Sequence, residues 1–255
     1  MVDGFTAGML TIDSGDDPGE HRQMTEIIAH RGASHDCLEN TLDAFATALA
    51  QGADGIELDV HPTTDGQVVV HHDPQVRDQT GRGFSITGTS AAVLRTIKLR
   101  NGESVPLLDE VLDLVGNRAV VYIEVKGVNA EQAVVDCAAR HPSCRVAVHS
   151  FDHRIPQRVR TLAPHIPVGL LSTSYPVDMK GFIGGVAPNA LWQHAAMIDA
   201  ALVTAAAQLG TRVIAWTVND ARDARTLVGD GVSAICTDKP GEMRKLLLNG
   251  RNREG

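Results

Sequence analysis

From Ile27 to Thr237 the chain alternates short apolar runs with segments of helical periodicity, and no other feature restricts its fold as much. The apolar runs fall at residues 27–30, 55–60, 119–125, 145–149, 167–171, 190–193, 212–218 and 233–237. Between most of them, residues 41–51, 107–115, 130–139, 155–162, 199–209 and 221–228 repeat apolar side chains at helical spacing, and 241–248 follow the last run in the same way. Leu42, Phe45, Ala46 and Leu49 illustrate the period. Asn40 stands where a helix cap is expected, and Gly210 and Gly231 where helices stop. Strands separated by helices are joined by crossovers and so run parallel. Eight such units in 255 residues predict an α/β protein, a closed (β/α)8 or TIM barrel. A doubly wound open sheet is the competing architecture, and residues 163–190 carry the weakest signal for either.

One run breaks the alternation. Residues 67–71 follow Val60 too closely for a crossover, and Asp65-Gly66 suits a tight turn. A β-hairpin insertion after the second strand is therefore expected. With Asp65 and Gly66 as its two turn residues, Thr64 pairs with Gln67 and Asp59 with His72. Glu57, Asp59 and His72 would then share one face. Residues 1–25, polar and rich in breakers from Asp13 to Glu20, are expected to be a flexible extension. Residues 26–250 are expected to form a single domain.

The charged residues fall in a pattern. Ile56-Glu57-Leu58-Asp59-Val60 alternates acids with apolar side chains, so both carboxylates face the same way on a strand. Two adjacent acids are costly unless a cation meets them, and a hard divalent ion does so. Val121-Tyr122-Ile123-Glu124-Val125-Lys126 repeats the pattern at another strand end, where barrel active sites lie. Glu124 can add a third carboxylate and Lys126 a phosphate contact. His30-Arg31-Gly32 ends the first strand, with His30 suited to proton exchange and Arg31 to forking onto phosphate. A ligand set of carboxylates favours Mg2+ or Ca2+ over Zn2+. Cys37, Cys137, Cys144 and Cys236 are scattered and lack zinc-type spacing.

With 31 acids against 23 bases and a formal charge of −8, a nucleic-acid partner is not expected. A small phosphodiester remains compatible, because a bound metal inverts the local field. No signal peptide and no membrane-spanning run is read from the sequence, so a cytoplasmic protein is expected. A homo-oligomer is neither required nor opposed.

The ordered set Ile28-Ala29-His30-Arg31-Gly32-Ala33, Glu39-Asn40-Thr41, Gly52 to Val60, His72-Asp73-Pro74, Val105 to Leu112, Ile123-Glu124-Val125-Lys126, Ser150-Phe151-Asp152, Ala215 to Asn219 and Thr237-Asp238-Lys239-Pro240 resembles the glycerophosphodiester phosphodiesterase family. The resemblance implies a β/α-barrel that hydrolyses glycerophosphodiesters to glycerol 3-phosphate and an alcohol. It implies metal ligands Glu57, Asp59 and Glu124, and His30 and His72 as an acid/base pair. It also implies Arg31 and Lys126 on the phosphate, Trp216 lining the pocket, and Glu39 near the site. His71 doubles the second histidine, but the match to His-Asp-Pro selects His72. Residues 33–38 differ from the family's usual Pro-containing approach. Two rival readings are a phospholipase-like phosphodiesterase, acting on lysophospholipids or stopping at a cyclic phosphate, and a catalytically inactive metal- or ligand-binding barrel.

Overall fold

The structure, a computed structural model, describes residues 25–127 and 129–251. Apart from Thr25, the extension expected at 1–25 lies outside the described residues. In chain order the elements are β1 (Glu26–His30), α1 (Leu42–Ala50), β2 (Gly55–Pro62), β3 (Val68–Val70), β4 (Gln75–Arg77), β5 (Gly83–Ser85), α2 (Ala91–Leu94), α3 (Leu108–Val115), β6 (Val120–Val125), α4 (Glu131–Arg140), β7 (Arg145–Ser150), α5 (Arg154–Leu162), β8 (Val168–Ser172), α6 (Met179–Gly184), β9 (Ala190–His194), α7 (Ala200–Ala207), β10 (Arg212–Trp216), α8 (Ala221–Gly229), β11 (Ala234–Thr237) and α9 (Pro240–Arg251). Strands β1, β2, β6, β7, β8, β9, β10 and β11 are all parallel, and β1 pairs with both β2 and β11. The sheet therefore closes into the expected eight-stranded barrel.

Strand periodicity explains the two cores. On β2, Ile56, Leu58 and Val60 point outward and pack with Phe45, Leu108, Val111 and Leu112 of the surrounding helices. Residues of the opposite parity point inward. Ile28, Tyr122, Trp192, Ile214 and Cys236 fill the barrel interior as a separate cluster. At its N-terminal end the Tyr122 hydroxyl donates to Glu26 (2.7 Å), while Arg212 donates to Glu26 (2.8 Å) and to the Tyr122 oxygen (2.5 Å). Two small positions leave room for the large rings: a Cβ on Gly55 would stand 2.6 Å from Tyr122, and one on Gly169 2.8 Å from Trp192.

Three local expectations are corrected. Helix α1 is capped by Thr41, whose hydroxyl accepts from the Ala44 N–H, and not by Asn40. Asn40 instead takes a left-handed backbone (φ 56°) and turns its carboxamide to Asp59. Helix α6, within the weakly patterned stretch, was not anticipated; three of the residues from 181 to 185 are glycines, which mask a helical period.

The third correction concerns the hairpin register. Val60 pairs with Val70, His61 with Val69 and Pro62 with Val68, one residue off the expected ladder. The loop has three residues, not two. Gly66 N–H donates to the Thr63 carbonyl (3.1 Å) and Gly66 takes φ 74°, a turn followed by a left-handed residue. His71, not His72, thus lies opposite Asp59, with its N–H on the Asp59 carbonyl (2.9 Å). Beyond it the chain forms the small β4–β5 sheet and α2, which share a core of Val69, Val76, Ile86, Leu94 and Leu99. No helix among the described residues is long and apolar enough to cross a membrane.

Candidate active site

The C-terminal ends of β1, β2 and β6 bring three acids and two bases together. Glu57, Asp59 and Glu124 are all buried. Parallel pairing sets His30 beside Glu57 and Asp59 beside Glu124. Arg31 has a left-handed backbone (φ 56°), which aims its N–H at Glu57 Oε2 (3.0 Å). Its guanidinium lies 3.1 Å from Asp59 and donates to Glu39 (2.9 Å), so Glu39 braces the arginine from the rim. The next residue must be glycine: Gly32 has φ 86°, and a Cβ there would stand 2.7 Å from Ala44. Lys126 Nζ bridges Glu124 (2.9 Å) and Asp59 (3.3 Å).

The electrostatics of these acids diverge. Burial drives the Glu57 carboxyl well above the usual range, and Asp59 and Glu124 add to the effect against Arg31. Burial followed by Asp59 pushes Glu124 up to about 7, despite Lys126. Burial also opposes ionisation of Asp59, yet Arg31, Lys126, Asn40 and His72 outweigh it and hold Asp59 below the ordinary value. One Asp59 oxygen nevertheless has no hydrogen-bond partner among the described residues. The two cationic side chains, with Asn40 and His72, therefore lower only one acid of the three. An added divalent cation suits the remainder, so the donor set fits such an ion.

Both predicted histidines are reached. His30 Nδ1 lies 2.6 Å from Asp238 Oδ1. Asp238 also accepts from Asn219 (2.6 Å) and Ser34 (3.0 Å). Burial would raise the Asp238 carboxyl, but these bonds, with His30 the strongest, bring it down to about 2. An ionised carboxylate only accepts, so His30 Nδ1–H donates to it, and Nε2 has no hydrogen-bond partner among the described residues. His72 Nδ1 similarly meets Asp73 (2.9 Å), and the His72 carbonyl lies 3.0 Å from His61 Nε2. His72 lies one residue beyond the ladder position opposite Asp59, and its charge still acts on that carboxylate. Trp216 ends β10 half-buried, with its ring edge-on to Phe151 and to His194, both at 5.5 Å.

Sequence reasoning missed His149. It ends β7 beside Glu124, 2% exposed, stacked on Trp192 at 4.1 Å. Burial pulls its pKa down to about 3 against the pull of Asp59, so the ring is neutral. Glu57, Glu124 and His149 offer ligand atoms that all lie within 4.8 Å of one another. The signal was available: strand parity in Val146-Ala147-Val148-His149 sends His149 inward. In the sequence, Asp238 and Asn219 stand out only as parts of motifs. A second His/Cys/Asp group (Asp109, Cys137, His141) lies on the outer helices, where Arg140 already donates to both Asp109 oxygens (2.9 and 2.7 Å).

Fold and geometry together define a (β/α)8 barrel with a cluster of charged side chains at the C-terminal ends of its strands. Residues 30–242 match the model of the glycerophosphoryl diester phosphodiesterase family. The glycerophosphodiester phosphodiesterase of Caldanaerobacter subterraneus subsp. tengcongensis is 34% identical over 240 residues, covering 89% of this chain and 99% of that protein. One from Bacillus altitudinis is 30% identical over 248 residues, covering 88% and 98%. The crystal structure of the Thermotoga maritima glycerophosphodiester phosphodiesterase is 26% identical and superposes with a TM-score of 0.73, covering 89% of this chain and 100% of that one. The chain belongs to the glycerophosphodiester phosphodiesterase family and is a phosphoric diester hydrolase.

Proposed function

We propose that the enzyme releases glycerol 3-phosphate and an alcohol from glycerophosphodiesters, with a divalent cation, Mg2+ or Ca2+, held by Glu57, Asp59 and Glu124. The observation that carries this reading is the buried carboxylate cluster, in which Glu57 and Glu124 resist ionisation without a further cation. When bound, the ion would polarise phosphorus through a non-bridging oxygen. Arg31 and Lys126 would share the remaining charge on the phosphate. His30 and His72 serve as the acid/base pair, each with Nδ1 on a carboxylate and Nε2 available. One takes the proton of the nucleophile, and the other protonates the departing alkoxide, a step worth ~10²–10⁴-fold. The glycerol 2-hydroxyl is the proposed nucleophile, which would give a cyclic phosphate that water then opens. Trp216 would pack against the glycerol or the alcohol.

The test is release of glycerol 3-phosphate from glycerophosphocholine with Mg2+, Ca2+ or EDTA, alongside His30→Ala. Release that needs metal and is lost in the variant is expected. Release that persists in EDTA would remove the metal from the mechanism.

One observation favours a second reading on lysophospholipids. Phe151, Tyr175, Val177 and Met197 follow the C-terminal ends of β7, β8 and β9, and all are exposed. An acyl chain could lie on such side chains. A higher kcat/KM for lysophosphatidylcholine than for glycerophosphocholine would favour it.

A further inference from the structure

The proposed metal site draws only on oxygen donors, yet a nitrogen donor stands within the same cluster. We propose that His149 is a further protein ligand of this metal, and that it biases the site toward Mn2+ over Ca2+. The inference rests on the reading that the carboxylates hold a divalent ion, and it departs from that reading's choice of ion.

The geometry has four parts. His149 pairs with Glu124 in the β6–β7 ladder, so it occupies the same layer as the acids. Its ring is clamped parallel to Trp192, at 4.1 Å and 4°. The Nδ1 atom is buried with no hydrogen-bond partner among the described residues. Nε2 faces Glu57 Oε1 across 3.9 Å, too far for a hydrogen bond. Two donors that each stand ~2.1 Å from one ion lie roughly 3–4.2 Å apart, depending on the angle between them. The observed gap falls inside that span.

Structural roles do not account for this placement. A buried imidazole whose Nδ1 has no partner among the described residues carries a penalty that a leucine or phenylalanine above Trp192 would avoid, so packing does not explain why a nitrogen, Nε2, is kept facing Glu57. The backbone makes room for the ring: on the neighbouring strand, a Cβ at Gly169 would stand 3.2 Å from the His149 Cβ. Imidazole is a good ligand for first-row transition ions, whereas Ca2+ and Mg2+ take oxygen. A site of three carboxylates and one imidazole suits a first-row ion that accepts both oxygen and nitrogen, such as Mn2+, whereas Ca2+ gains little from the imidazole.

The experiment compares Mn2+ and Ca2+ affinities by calorimetry on the chelator-stripped full chain. It uses wild type, His149→Phe, which keeps the stacking on Trp192, and Glu57→Gln. His149→Phe is expected to weaken Mn2+ binding by about tenfold or more, with Ca2+ affinity changed far less. Pulsed EPR of the wild-type Mn2+ complex is expected to show a directly coordinated nitrogen that shifts on ¹⁵N-histidine labelling and is lost in His149→Phe. The proposal is overturned if the wild-type spectrum contains no coordinated nitrogen, which requires no variant to fold. It is equally overturned if His149→Phe weakens both ions alike or neither. If Glu57→Gln abolishes binding while His149→Phe leaves it intact, the carboxylate site stands and His149 alone is excluded. If wild type binds neither ion, the metal reading itself falls and takes this proposal with it.

Discussion

His30 has one ring edge committed and the other free. Asp238 holds Nδ1 at 2.6 Å and is itself held by Asn219 and Ser34, so a chain of side chains fixes the imidazole plane. Weakening that chain should impair proton transfer more than substrate binding. Asp238→Asn is expected to lower kcat by about 10²-fold with KM changed far less, since general acid/base catalysis is typically worth ~10²–10⁴-fold. Steady-state kinetics on glycerophosphocholine measure the split. Equal effects on both constants would show that Asp238 shapes the pocket instead. At this scale the candidate acids were legible, because charged side chains alternating with apolar ones on strands can only face one way, whereas the same reasoning put His72 where His71 stands. The orienting partners of these side chains were not legible. Asp238 lies 208 positions from His30, and Asn40 meets Asp59 only because a left-handed backbone frees it from capping a helix.

Among the elements, the hairpin shows how one residue in a turn changes what a ladder delivers. The Asp65-Gly66 pair does mark a turn, but Thr63 extends it. The Thr63 hydroxyl bonds to Asp65 (2.5 Å) and accepts from the Gln67 N–H (3.1 Å), closing a three-residue loop. Asp65 also accepts from the Ala91 N–H (3.0 Å), which ties the tip to α2. Side-chain bonds of this kind compete with a two-residue turn and cannot be weighed from the dipeptide alone. Gly66 sits at φ 74° with open space around it, so backbone strain rather than a clash decides what it tolerates. Gly66→Val is expected to cost ~1–2 kcal/mol and Gly66→Asn less, because asparagine accepts the left-handed region. Thermal unfolding of the two variants should rank them in that order; equal losses would mean that the turn relaxes away from this geometry. The barrel strands, by contrast, were legible nearly to their ends, since a parallel strand buried on both sides carries a continuous apolar signal.

For the whole molecule, the alternation of strand and helix was enough to give the barrel, and the barrel gathers residues far apart in the chain at one mouth. Metal binding at that mouth, as proposed, would be coupled to pH. Without metal, burial and the neighbouring acids lift Glu124 to about 7, so at pH 6 it carries a proton that a cation must displace, and the upward shift of Glu57 acts in the same direction. Stability is the wrong readout for this coupling. A carboxyl whose pKa is raised in the folded state favours folding at low pH, and Glu124 loses that advantage as pH climbs from its unfolded value toward 7. His149 works in the opposite direction. It stays neutral in the fold down to about 3, so stability rises with pH until the unfolded histidine has also lost its proton. The two slopes overlap and largely cancel. Binding separates them, because His149 is neutral throughout and contributes no proton. Divalent-metal affinity is therefore expected to rise from pH 5 through 7, by up to about tenfold per pH unit for each proton displaced. Calorimetry in buffers of different ionisation enthalpy would count those protons. An affinity flat across that range, with no proton released, would mean that the carboxylates are already ionised and that Arg31 and Lys126 alone meet their charge.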